Sequence, residues 1–225
     1  MAAGYGKLNK SANEFDTGTL DGNAGLRWAQ GKEAITVGGQ YQDFELDWHR
    51  FRVTKGVIGQ WQHIYDERHQ ATLFGQYSQL RYPSQNIRDA NRKIIGAAYA
   101  QAFSGDYAPV LFGSVYGGRE DEINANVPHL GHKPLGARIG GQARLAAGWS
   151  AFANASYERR NYGGPEPLFL TARRDRQTDI GGGVSYVIRP GTTVIGQIQH
   201  TENRSNIDLF QFRRTVSTLS LRFNF

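Results

Sequence analysis

Apolar and polar residues alternate one for one along most of this chain, in segments of about ten residues parted by turn chemistry. Leu20, Gly22, Ala24, Leu26 and Trp28 oppose Asp21, Asn23 and Arg27, and Ile35, Val37, Gly39 and Tyr41 oppose Thr36, Gln40 and Gln42. A strand over 52–62 alternates less well, because Lys55 shares a face with Val53, Val57 and Trp61. Ala71, Leu73, Gly75 and Tyr77 form the next apolar face. Segments 93–103 and 107–117 are apolar on both faces, so their register is not legible. The pattern clears again at Leu135 to Leu145, Trp149 to Tyr157, Ile180 to Ile188 and Val194 to Ile198. Strand side chains point alternately to opposite faces, so each segment is one strand with an apolar and a polar side. Eleven strands are counted, and residues 1–16 hold a truncated or irregular further strand over 3–9, which makes twelve.

The last segment is the most informative. Leu219, Leu221, Phe223 and Phe225 alternate with Thr218, Ser220, Arg222 and Asn224, and the sequence stops on the aromatic. An apolar strand edge in water invites aggregation, whereas in a membrane barrel the strand is paired and its apolar face meets lipid. This ending resembles the insertion signal of bacterial outer-membrane barrels. The connections sort as well. Counting back from the C-terminus they run long, short, long, short, with long loops at 201–209, 161–174 and 118–133. Outer-membrane barrels have short periplasmic turns and long extracellular loops, so the C-terminus is expected in the periplasm. The predicted fold is all-β, an antiparallel up-and-down transmembrane barrel forming one domain over 1–225. The competing reading is a soluble β-sandwich, which has no reason to sort its loops.

Composition agrees with strands that hide their apolar half. Mean hydropathy is −0.54, and no apolar run is long enough for a spanning helix. Residues 1–10 have no apolar core after their charge and do not read as a signal peptide, so an export signal is expected upstream or already removed. There is no Cys, so thiolate metal sites and disulfides are excluded. The net charge of +6 is carried mainly by Arg, without a basic helix or nucleic-acid motif, so no nucleic-acid partner is expected. Arg on the lipid face costs about 2–4 kcal/mol at the midplane, so strand Arg should point inward. The lumen-lining candidates are Arg27, Arg138, Gln142, Arg144, Glu158, Arg214 and Arg222.

No catalytic constellation emerges, so the chain reads as no enzyme, with no cofactor and no metal. His129 and His132 lie in a predicted loop without an evident third ligand, and His200 sits beside Glu202 near a rim. No G-x-S-x-G occurs, and Gly181-Gly182-Gly183 lacks the strand–turn–helix setting of a phosphate loop.

The second half carries a family resemblance. YERRNYGGPEPLF (157–169), RRDRQTDIGGGVSY (173–186) and the closing ENRSNIDLFQFRRTVSTLSLRFNF resemble the barrel domain of the surface lipoprotein assembly modifier family. The likeness spans about residues 50–225. It implies an outer-membrane device that follows a periplasmic repeat domain and moves lipoproteins, or related soluble haem-binding proteins, to the cell surface. It also implies about fourteen strands, so this chain is either the C-terminal part of such a barrel or a reduced homologue. The expected partners are outer-membrane lipid and lipopolysaccharide, a lipoprotein or secreted client, and the barrel assembly machinery. Two other functions fit the residues: a passive anion-tolerant pore, or ligand binding and adhesion by loops 118–133 and 161–174.

Overall fold

In the computed structural model of the chain, the residues described are 2–7, 17–124 and 126–223. They form twelve strands: β1 (Ala2–Lys7), β2 (Thr17–Gln30), β3 (Glu33–Leu46), β4 (His49–Ile64), β5 (His69–Arg81), β6 (Ala90–Ala102), β7 (Val110–Glu122), β8 (His132–Ala146), β9 (Trp149–Pro165), β10 (Ala172–Arg189), β11 (Thr192–Ser205) and β12 (Phe212–Phe223). Every strand pairs antiparallel with its neighbours in sequence, in the order β1 to β12. This is the up-and-down barrel that the alternation predicts. The ladder is continuous through all twelve strands, and among the described residues none joins β12 to β1.

Strand length separates the two ends. A tilted strand crosses the apolar layer in about 9–11 residues, yet β9 has 17 residues and β10 has 18. At one end four of the five connections are tight, residues 31–32, 65–68, 147–148 and 190–191, and the fifth is 103–109. Gly31, Gly148 and Gly191 take positive φ there, as two-residue hairpins require. At the other end lie residues 82–89, 123–131, 166–171 and 206–211, where the surplus strand length also sits. We call these the turn end and the loop end; β12 finishes at the turn end, with Phe223 opposite Thr192.

Three expectations change. The loops expected over 118–133, 161–174 and 201–209 are about half strand, because β7 runs to Glu122, β8 starts at His132, β9 runs to Pro165, β10 starts at Ala172 and β11 runs to Ser205. Polar residues on both faces read as loop, but above the membrane a strand has no apolar face to keep. The loop end also carries one short connection, a hairpin at Asp47-Trp48 with φ of 52° and 58°, so the alternation of loop lengths is incomplete. Segments 93–103 and 107–117 acquire a register, with Ile95 opposite Gly117 and Gly96 opposite Tyr116.

The outward face carries the apolar belt: Leu26, Ile95, Ile139, Ile180 and Leu219 are all more than half exposed in the isolated chain. Aromatics border it. Trp28, Trp61 and Trp149 lie near the turn end, where Trp149 and Tyr186 rings are 4.6 Å apart, and Tyr41, Tyr77 and Tyr157 lie nearer the loop end. Lys55 is explained by depth. It stands outward between Tyr41 and Gln79, and the next outward row runs from Tyr77 to Lys93 and Arg119, at the border where cations reach headgroups.

Candidate functional site

The inward face is built by the alternate residues of these strands. Across β7 to β9, Tyr116 lies opposite Gly136, and Gly136 opposite Glu158. A Cβ at Gly136 would overlap the Tyr116 ring, so glycine is the residue that lets this ring lie across the middle strand. Phe112 covers Gly140 and Phe152 covers Gly183 in the same way, with a Cβ there only 2.5 and 2.7 Å from the ring. Aromatic rings thus fill the space that inward glycines leave, which holds the register of a curved sheet.

The seven lumen candidates stand as follows. Arg27 lies opposite Thr36; Arg138 lies opposite Ser114 and Ser156; Gln142 lies opposite Phe152 and Arg144 opposite Ser150. Glu158 lies opposite Gln177, Arg214 opposite Thr201 and Arg222 opposite Thr193. All seven are on the face away from Leu26, Ile139, Tyr157 and Leu221. Arg27, Arg144, Arg214 and Arg222 are exposed and make no ion pair among the described residues. Of the terminal apolar set, Leu219, Leu221 and Phe223 point outward, 80, 59 and 54% exposed, and Phe225 lies outside the described residues.

Near the loop end the structure assembles residues that the alternation did not single out. Tyr116 Oη donates to the Glu158 carboxylate at 2.6 Å, and Arg160 Nε donates to it at 2.6 Å while a second Arg160 nitrogen reaches Gln177. The Arg138 guanidinium lies 5.2 Å from the Tyr116 ring centre. Arg92 pairs with Glu120 at 2.5 Å, and Ser156 and Thr201 donate to Asp179 at 3.1 and 2.6 Å. Arg173 grips the fully buried Asp175 at 2.5 and 2.9 Å, with its guanidinium 3.6 Å from the Phe210 ring centre. His129 and His132 do not act together: His132 opens β8, with its ring 5.0 Å from that of Tyr162 and its Nδ1 3.8 Å from Glu120. Asn206 clamps the neighbouring loop, accepting from the Arg174 amide at 2.7 Å and donating to the Ala172 carbonyl at 3.0 Å.

Two cavities open on this inward face. One of about 410 Å³ is bounded by Arg92, Arg138, Arg160, His132 and the single carboxylate Glu158, among others. A second of about 390 Å³ lies over β2 to β6 and shares Gln76 and Arg92 with the first. The arrangement can hold anionic or hydrogen-bonding groups inside the barrel. A polar interior, an apolar outward belt bordered by aromatics and an unbroken antiparallel ladder define an outer-membrane β-barrel.

Solved structures show the same fold. The ferric enterobactin receptor PfeA of Pseudomonas aeruginosa superposes with a TM-score of 0.51 at 10% identity, over 98% of this chain and 41% of its own length. A membrane protein from a study of in-meso crystallization superposes with a TM-score of 0.50 at 16% identity, over 99% of this chain and 80% of its own. The chain therefore spans about two fifths of the receptor's length. A comparison with curated protein sequences gives no match. The model of the surface lipoprotein assembly modifier family matches residues 2–225, and the chain belongs to that family.

Proposed function

We propose that this barrel assists the passage of a lipoprotein, or a related secreted protein, to the cell surface, and that it does so as a conduit rather than as a catalyst. Family membership supplies the class of client. The carrying observation is the inward face at the turn end, where Arg144 and Arg222 are exposed and bound to no acid among the described residues. Free guanidinium groups lining a passage favour acidic segments, which they bind transiently in a partly desolvated setting. The turn end faces the periplasm in this reading, since four of its five connections have only two to four residues and periplasmic turns are short. The C-terminus is then periplasmic, and the client meets the free arginines before the ion-paired region.

Photo-crosslinking from positions 142 and 144, compared with the outward position 139, tests the reading in cells that display the client. Client adducts from 142 and 144, none from 139, and several-fold lower display with Arg144→Glu and Arg222→Glu are expected. Normal display with both substitutions would sink it. Steady single-channel conductance altered by Arg138→Ala and Arg144→Ala, without client adducts, would instead identify an anion-tolerant pore. A second reading draws on the tip of loop 166–171, where Leu168 and Leu170 are 85 and 83% exposed and Phe169 is 43% exposed. An apolar tip of this kind suits capture of a ligand or of the emerging client. Replacing all three residues with Ser should abolish ligand capture and leave the barrel folded.

A further inference from the structure

The outward face above the apolar belt holds a cationic arrangement that sheet pairing alone disfavours. Arg159, Arg176 and Arg204 lie directly opposite one another across β9, β10 and β11. Like charges in direct cross-strand opposition destabilise a sheet, and two strand spacings bring all three within about 10 Å. Lys133, Arg174 and Arg213 surround them in the adjoining rows. All six side chains are exposed, Arg204 and Arg213 by 72 and 73%. Glu202 is the one carboxylate facing this patch among the described residues, shared by Arg204 and Arg213 at 3.0 Å each. Arg159 reaches only Asn161, at 3.2 Å, and the side chains of Arg174 and Arg176 have no partner among the described residues.

Depth says what meets this patch. Tyr157, two residues before Arg159 on the same face, is 45% exposed in the position of an interfacial aromatic. Ile180 follows Arg176 by four residues, and Ile198 precedes Arg204 by six, both on the lipid side. The patch therefore stands at the headgroup layer, faces away from the lumen, and cannot meet a substrate inside the barrel. Planar guanidinium groups pair bidentately with phosphate, and several on one flat surface engage more than one phosphate at once.

We propose that this row is a binding site for a multiply phosphorylated glycolipid headgroup in the leaflet at the loop end. The assignment to the outer leaflet rests on the orientation proposed above; the binding chemistry does not. The cross-strand repulsion is then relieved only in a membrane that supplies the phosphates.

The test folds the 225-residue chain into phosphatidylcholine vesicles with and without bisphosphorylated lipid A, and follows heat-dependent unfolding and bound glycolipid by native mass spectrometry. Lipid A should raise the unfolding temperature by several degrees. The Arg159→Gln/Arg176→Gln/Arg204→Gln variant should lose that gain and bind at least about tenfold less glycolipid, the loss of two to three charge-assisted contacts. In neutral detergent the same variant should be no less stable than the wild type, because relief of the repulsion offsets the loss of the exposed Arg204–Glu202 pair, and Glu202 keeps Arg213. Retention of the gain by the variant overturns the proposal, as does an equal gain from inorganic phosphate or phosphatidylglycerol. Should the triple variant not fold, Arg176→Gln alone, which breaks the row at its centre, carries the same comparison. Labelling a cysteine at position 168 from outside the cell reports the orientation separately, and its failure would remove the leaflet assignment while vesicle binding stands.

Discussion

Apart from Arg214, which is exposed and without an ion pair among the described residues opposite Thr201, the two ends of the barrel use inward arginine in opposite ways. Near the loop end, Asp175, Asn203, Ser78 and Thr201 are almost fully buried, and Arg92, Arg160 and Arg173 each hold a carboxylate. Near the turn end, Arg144 and Arg222 are exposed and carry no ion pair among the described residues. The residue type is the same, but the first set is bound up in structure and the second is free to meet another molecule. Extra strand length explains the difference. Beyond the apolar belt both faces of β9 and β10 are polar, so residues 126–131 and 206–211 fold onto them, and Val127 and Ile207 are buried. Pro128 packs against Gly163 and Gly164 there, within contact distance of where a Cβ would stand.

The comparison is broken most severely at Arg173. Arg173→Ala would leave Asp175 fully buried and unpaired, and should cost about 3–5 kcal/mol in chemical unfolding from detergent micelles. The double change Arg173→Met/Asp175→Leu should recover much of that loss, since it removes both charges. No recovery would mean that Arg173 acts mainly by stacking on Phe210. Gly136→Ala should cost about 1–3 kcal/mol by driving a methyl into the Tyr116 ring. Gly196→Ala, near the turn end with nothing within 4 Å of its Cβ position, should stay within about 0.5 kcal/mol.

Arg144→Ala and Arg222→Ala should also leave unfolding within about 0.5 kcal/mol while lowering client adducts. A large stability loss there would erase the contrast between the ends. The smallest effect belongs to turn 65–68. The Asp66 carboxyl accepts from the Arg68 and His69 amides and the His69 ring, and these bonds, the Arg68 amide first, hold it below the usual carboxylate range. A depressed folded-state value stabilises the turn above the ordinary carboxylate range and loses that support as pH falls through the depressed value. Amide exchange at Arg68 and His69 should therefore quicken at acid pH, relative to its intrinsic rate, and Asp66→Asn should remove this pH dependence.

Legibility followed the membrane. Where one face meets lipid, as from Leu135 to Leu145, the alternation in sequence is the alternation in space, and Arg138, Gln142 and Arg144 could be placed on the polar side from the alternation alone. Where both faces are polar, Arg173 and Asn203 read as loop residues, though Arg173 holds the buried Asp175 and Asn203 is itself almost fully buried. Tyr116 was hidden in a segment apolar on both faces, and its partner Glu158 lies two strands away. A tyrosine followed by two glycines was the only signal, and without register it pointed nowhere.

The sequence by itself determined the strands, their two faces, the barrel class and the family. Side-chain direction in a strand is a local property, and lipid and water impose it residue by residue. Only the tertiary structure decided which charges meet. The Arg173–Asp175 clamp depends on a bulge and on a loop that brings Phe210 over it, and the Arg159–Arg176–Arg204 row depends on the register of three strands. Register is set by pairing between residues distant in the chain, and a slip of one position would send each of these side chains to the other face.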